Sequence, residues 1–296
     1  MSILRLMPEL PEVQTTIDNL IDSGIIGEQI VGAEVGWPRT VGGDSAAFAA
    51  AICGRRIGAL ARRGKYIIFA LHDSAYGGGR GHGSAQLWAI CHLRMSGRLQ
   101  LVAASEPRGS YERLVLQCAT GRELRFVDPR KFGRFLLSTD PALILDKLGP
   151  EPLAQDFTAE VLRVVLAGRR RALKPTLLDQ GVIAGLGNIY VDEALFCARL
   201  HPLRRADSLA AAEIVMLYDA IQRVLRQGLA NLGVSLGNGH SNFRLPNGTS
   251  GSNQQALRVF RRTGLPCREC ATPIQRIVVA QRSTHICPRC QLAAES

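Results

Sequence analysis

The chain has 296 residues, 36 Lys and Arg against 25 Asp and Glu, and a formal net charge of +11. That balance points to a polyanionic partner, nucleic acid before an anionic membrane. No apolar run approaches the length of about 18 residues needed to span a bilayer, and the opening residues are too short and too soon followed by Pro and Glu to read as a secretory signal. The expectation is an intracellular protein of the cytoplasm or nucleoid, in two modest domains.

In chain order, Pro8-Glu9-Leu10-Pro11-Glu12 opens a helix, since proline in a first turn sacrifices no hydrogen bond. Val13, Ile17, Leu20 and Ile21 give that helix one apolar face. From Ile25 to Val127 short alternating runs dominate, and 66–71, 86–90 and 123–127 read as strands. Residues 74–84 read on composition as a long hairpin loop. The character changes near Leu148-Gly149-Pro150, and helical periodicity follows over 158–168, 172–180, 189–197 and 208–228. The stretch from Gly233 to Asn253 reads as a mobile surface loop. Cys53, Cys91, Cys118 and Cys197 are scattered, and read as buried thiols.

The last segment is sharper. Cys267-Arg268-Glu269-Cys270 and Cys287-Pro288-Arg289-Cys290 are two Cys-x-x-Cys pairs separated by 16 residues. Four thiolates so arranged close a tetrahedron around one structural Zn²⁺ with no open position for chemistry. The alternative is two disulfides, which an intracellular setting disfavours. Arg258, Arg261, Arg262, Arg268, Arg276, Arg282 and Arg289 surround the pairs. They suit phosphate contacts, the alternative being a merely solvated face.

Taken together, Met7-Pro8-Glu9-Leu10-Pro11-Glu12-Val13, Arg63-Gly64-Lys65-Tyr66, His92-Leu93-Arg94-Met95-Ser96-Gly97, Asp128-Pro129-Arg130-Lys131-Phe132-Gly133, Leu178-Asp179-Gln180 with Ala184-Gly185-Leu186-Gly187-Asn188-Ile189-Tyr190, and Gln281-Arg282-Ser283-Thr284 with the cysteine pairs form an ordered set. The set resembles the formamidopyrimidine-DNA glycosylase (Fpg/MutM) branch of the Fpg/Nei family. The resemblance implies an α+β fold: an N-terminal β-sandwich flanked by helices, then a helical helix–two-turn–helix domain with a zinc-finger hairpin, damaged double-stranded DNA lying in the cleft between them. The divisions expected are an extension at 1–7, a catalytic domain at 8–140, a linker at 141–155, a helical domain at 156–256 whose loop 233–253 caps the lesion, and a zinc finger at 257–291. Nothing in the sequence points to an oligomer, so a monomer is expected.

The resemblance also implies roles. Pro8, as an N-terminal amine, would attack the sugar C1′, and Glu9 would protonate the deoxyribose ring oxygen. Glu12 would support the site by accepting hydrogen bonds. Lys65 would bind a phosphate beside the lesion and His92 another; read alone, each is equally an ordinary cation or capping group. Met95, Arg130 and Phe132 would fill the gap left by an everted base, although Met95 and Phe132 read alone are core residues. Asn188 and Arg282 would clamp the backbone. Leu10, where the Nei branch tends to have glycine, and the long capping region favour 8-oxoguanine and formamidopyrimidines over oxidised pyrimidines.

Three departures stand against that pattern. Pro8 is preceded by seven residues, and an acylated proline cannot form an iminium. The expectation is translation from Met7 and a mature chain beginning at Pro8; the alternative is an extended protein using Lys65. Phe260 stands where the family usually has tyrosine, and Lys131 replaces a second arginine, keeping charge but losing the planar fork. The competing readings are a non-catalytic damaged-DNA binder, an endonuclease-VIII-like enzyme for oxidised pyrimidines, and a zinc-stabilised transcription regulator.

Overall fold

A computed structural model describes residues 7–73, 87–235 and 244–293. Most of the seven-residue extension, all of the 74–84 loop and the middle of the 233–253 stretch fall outside the described residues. The chain divides into two compact units: residues 1–146 with 232–251, and residues 147–231 with 252–296. The described residues of the 232–251 stretch therefore group with the first unit, although the helical segment precedes them in sequence.

The first unit begins with α1 (Leu10–Asp22), with Pro11 in its first turn. Leu10, Val13, Ile17 and Leu20 are buried at helical spacing, whereas Ile21 sits off that stripe and is 41% exposed. Then come β1 (Ile30–Glu34), α2 (Ser45–Ile52), β2 (Arg55–Arg63), β3 (Tyr66–Asp73), β4 (Leu87–His92), β5 (Arg98–Ala103), β6 (Glu112–Cys118), β7 (Arg122–Val127), β8 (Arg134–Ser138) and the single turn α3 (Ala142–Leu145). The strands form two four-stranded antiparallel sheets, ordered β1-β6-β7-β5 and β2-β3-β4-β8. One core fills the space between them: Ile67, Phe69, Cys91 and Phe135 from one sheet, Leu99, Leu116, Leu124 and Phe126 from the other. Val13, Ile17 and Leu20 of α1, with Phe48 and Ile52 of α2, cover its edge. This is the expected sandwich flanked by helices.

The second unit holds α4 (Ala159–Leu166), α5 (Leu173–Leu178), α6 (Asn188–Cys197), α7 (Ala211–Ala230) and the hairpin β9 (Gln275–Val279) and β10 (Arg282–Ile286). Helix α5 stops at Leu178, short of the periodic pattern, because Asp179 turns the chain by accepting the Gly181 N–H at 3.0 Å. Gln180 then holds the double turn before α6, donating to the Leu178 and Leu186 carbonyls and accepting from Gly185 N–H. Helix α6 is buried from Ile189 to Phe196, two carboxylates included. Of the four scattered cysteines, Cys91 and Cys118 are buried as expected, but Cys53 and Cys197 are only partly so.

Candidate active site and zinc centre

Pro8, Glu9 and Glu12 cluster at the N-terminal end of α1, all buried. Glu12, three residues beyond Glu9, turns back so that its Oε2 accepts the Glu9 N–H at 2.9 Å, the helix-start geometry that satisfies an otherwise orphaned donor. Its other oxygen accepts the Val234 N–H at 2.8 Å. A side chain on Gly233 would collide with the Glu12 carboxylate, at 2.9 Å. Ser235 then accepts the Gly251 N–H at 2.9 Å, closing the base of this loop segment. One carboxylate thus links the backbone beside Pro8 to the base of the 233–253 stretch. Spacing alone gave no sign of the second bond.

Lys65 lies in the tight turn joining β2 to β3, and is buried. Nearby, Arg62 ties β2 to α1 by donating to the Gln14 Oε1 at 3.0 Å. His92 ends β4 opposite Tyr66, whose ring it meets edge-on at 4.6 Å. The Arg94 N–H donates to His92 Nδ1 at 2.9 Å, so Nε2 carries the proton of the neutral ring. Burial first, then the charges of Arg94 and Lys65, push the imidazole down to about 3. His92 is therefore a neutral donor near pH 7, not a cation.

Met95 and the pair Arg130 and Phe132 stand on two loops, β4–β5 and β7–β8, that come together. The Arg130 guanidinium lies 3.5 Å from the Met95 Sδ and 4.9 Å over the Phe132 ring. Phe132 is 48% exposed, an unusual placing for a phenylalanine unless something packs on it. Lys131, in a left-handed conformation, points back onto the Trp37 ring at 4.1 Å, so its charge is held away from this trio.

In the second unit Asn188 opens α6, and its Nδ2 donates to the Ser283 carbonyl at 3.0 Å, beside the exposed Arg282 on β10. The junction rests on a buried network absent from the sequence reading. Lys174 on α5 donates to Asp192 Oδ1 at 2.6 Å and to the Ser283 carbonyl at 3.2 Å. Asp192 Oδ2 accepts the His285 backbone N–H at 2.9 Å and lies 3.1 Å from the His285 Nδ1. Next along α6, Glu193 accepts the N–H groups of Arg258, Val259 and Phe260. Burial raises the Glu193 carboxyl, and the three N–H groups oppose that rise. Phe260 uses its ring against His285, edge-on at 4.9 Å.

Cys267, Cys270, Cys287 and Cys290 form a single cluster with every sulfur within 4.8 Å of the others. A tetrahedral zinc with bonds near 2.3 Å needs sulfurs about 3.8 Å apart, and the closest pairs here are 3.4, 3.5 and 4.0 Å. The Glu269 and Cys290 N–H groups donate to the Cys267 and Cys287 sulfurs, each at 3.4 Å, which favours thiolates. None of the four is in a disulfide. The donor set fits one structural Zn²⁺ and leaves no coordination position for a substrate.

A sandwich with Pro-Glu at the head of its first helix, and a helical unit closed by a Cys₄ hairpin, define a two-unit zinc-bearing DNA-repair class. Matches to family models assign its parts: the formamidopyrimidine-DNA glycosylase N-terminal domain over residues 7–135, the formamidopyrimidine-DNA glycosylase H2TH domain over 148–238, and the zinc finger found in FPG and IleRS over 264–293. The chain is 44% identical over 286 residues to a formamidopyrimidine-DNA glycosylase of Protochlamydia amoebophila, covering 96% of this chain and 99% of that one. It is 46% identical over 291 residues to that of Herpetosiphon aurantiacus, covering 96% and 100%. A solved complex of a Lactococcus lactis FPG variant with DNA containing Fapy-dG superposes with a TM-score of 0.85 at 35% identity, covering 97% of this chain and all of that one. The chain belongs to the formamidopyrimidine-DNA glycosylase family. No helix among the described residues is long and apolar enough to cross a membrane.

Proposed function

We propose that the protein is a DNA glycosylase and abasic-site lyase that removes 8-oxoguanine and formamidopyrimidines from duplex DNA. The observation that carries the reading is the buried Pro8-Glu9 pair held by Glu12 at the head of α1, together with relatives named for formamidopyrimidine release.

In this mechanism the Pro8 nitrogen is a free secondary amine, neutral for part of the time near pH 7–8. Its lone pair attacks C1′ as the bond to the base breaks, and the base leaves with a proton. Glu9 protonates the ring oxygen, which opens the sugar and leaves an iminium on Pro8. The iminium accepts the electrons of the C2′–H bond as the 3′ phosphate departs, and a second elimination releases the 5′ phosphate. Lys65 and the neutral His92 hold phosphates by hydrogen bonds, while Asn188 and Arg282 grip the backbone. Met95, Arg130 and Phe132 occupy the vacated stack, offsetting the cost of unstacking.

The chemistry requires Pro8 to be the first residue of the active form, and the family match beginning at residue 7 supports that start. Natively expressed protein incubated with an 8-oxoguanine duplex and borohydride should yield a covalent adduct that maps to an N-terminal Pro8 peptide. An intact terminus upstream of Pro8 and no adduct would leave a damage-binding protein without this chemistry. Faster release from thymine glycol than from 8-oxoguanine would overturn the purine assignment.

A further inference from the structure

The two loops carrying Met95 and the Arg130–Phe132 pair meet on one buried carboxylate. Asp128 is fully buried. Its Oδ1 accepts the Ser96 hydroxyl from the first loop and the Arg130 N–H at 3.1 Å from the second. Its Oδ2 accepts the Gly133 N–H at 2.7 Å, closing the second loop. Asp128 is itself anchored to the sheet: its carbonyl accepts the Arg113 Nε–H at 2.8 Å and its N–H donates to the Tyr111 carbonyl at 2.8 Å.

Beneath the carboxylate lies a second common support. A side chain on Gly97 would come within 2.9 Å of the Phe126 ring, and one on Gly133 within 2.2 Å. Both loops therefore end on the same aromatic floor. At the other end Arg130 touches Met95 and covers Phe132. Among these supports, Ser96 to Asp128 is the side-chain bond that crosses between the loops at their base.

We propose that the Ser96–Asp128 hydrogen bond locks the two loops into one rigid inserting unit, making Ser96 and Asp128 positioning residues for reading the base opposite the lesion. The inference rests on the reading above that Arg130 enters the vacated stack, where its guanidinium meets the base left without a partner. A guanidinium offers only donors. Cytosine presents two neighbouring acceptors on its pairing edge, N3 and O2, whereas adenine sets one acceptor beside an amino donor. A bidentate fit tells these apart only if the guanidinium is held in place, because the discrimination depends on leaving the wrong base unpaired. Without the Ser96 hydroxyl, the Met95 loop loses its tie to the carboxylate that sets the Arg130 backbone. The trio can then shift as separate side chains.

The test uses full-length wild-type protein, S96A and S96T, titrated by fluorescence anisotropy onto duplexes with a tetrahydrofuran abasic analogue opposite cytosine or adenine. This analogue cannot react, so the readout does not depend on Pro8 chemistry. Wild-type protein should prefer cytosine. S96A should lose about fivefold of that preference, the loss of one hydrogen bond's worth of positioning, and S96T should restore it. Thermal unfolding of both variants shows that the fold is retained, and a purely structural role for Ser96 would move that midpoint without moving the cytosine-to-adenine ratio. An unchanged ratio in S96A, or an S96T as impaired as S96A, overturns the proposal. If borohydride trapping fails in wild-type protein while this pattern holds, the catalytic reading falls and the positioning role stands.

Discussion

At the residue scale, the phosphate contacts proposed for His92 and Arg282 would be made in two different ways. The His92 imidazole is buried and neutral, with Nδ1 already accepting the Arg94 N–H, so Nε2–H has a hydrogen bond to offer but no charge. Arg282 is an exposed cation. Each cation neutralising a phosphate releases counterions and steepens the salt dependence of binding by about 0.9 in a log–log plot. R282A should therefore weaken DNA binding and flatten that slope by about 0.9, whereas H92Q should weaken binding with the slope unchanged. Binding isotherms across a salt series check this, and a flattened slope in H92Q would show that the ring binds as imidazolium. The same residue makes the fold acid-sensitive. The unfolded imidazole takes up a proton near its ordinary 6.5, but the folded one only near 3. Above 6.5 both states are neutral and His92 contributes no pH dependence. As the pH falls below 6.5 the unfolded state gains the proton first, so stability is lost, by about 1.4 kcal/mol per pH unit, until the pH nears 3. Denaturant unfolding over that acid range should show a shallower pH dependence in H92Q than in the wild type.

At the scale of elements, the buried Lys174–Asp192–His285 network joins α5, α6 and β10, and so sets where Asn188 stands relative to Arg282. Lys174 and Asp192 have no solvent exposure. A buried pair gives little net stabilisation, but removing one partner strands the other charge at about 3–5 kcal/mol. D192A should lose stability of that order in denaturant unfolding, and the double variant K174M/D192L should recover much of it. A D192A within about 1 kcal/mol of the wild type would mean that water reaches Lys174. The network was invisible in the sequence because Lys174, Asp192 and His285 lie on three separate elements, and a buried lysine carries no sign of its burial. What was legible was local: the strands at 66–71 and 123–127 and the helices around 159–166 and 189–197 follow from periodicity, and the cysteine pairs from spacing. Strand β2 escaped because the arginines at both ends of Arg55–Arg63 blur an inward face that only the sheet pairing defines. The Pro8-Glu9-Glu12 cluster was legible because a helix start brings neighbours in sequence together. The link from Glu12 to Val234 was not, as it spans most of the chain.

At the scale of the whole molecule, the second unit depends on its metal in a way the sandwich does not. The sandwich core is drawn from residues of the first unit between Val13 and Leu137 and needs no ion. The β9–β10 hairpin is two short strands, joined through Ala280 and Gln281, both at positive φ. A two-stranded hairpin is marginal by itself in water. Its apolar anchorage is a small cluster in which Phe196, Val259 and Ile274 pack with two of the metal's own ligands, Cys267 and Cys287. Without zinc the thiolates repel or take up protons, the anchorage loses its centre, and β10 is freed from Asp192 and from the Lys174 and Asn188 contacts at Ser283. Arg282 then no longer presents a fixed charge, and the surrounding arginines lose their common frame. Stripping the metal with an organomercurial should release one zinc per chain to a coloured chelator. DNA affinity should fall with the release, and the salt slope should flatten by more than the R282A step, because several phosphate contacts are lost together. The calorimetric transition of the sandwich should stay in place while that of the second unit broadens or disappears. Full affinity with an unaltered salt slope in metal-free protein would show that the hairpin's arginines are not the DNA footprint, and would move the net charge of +11 to some other face of the molecule.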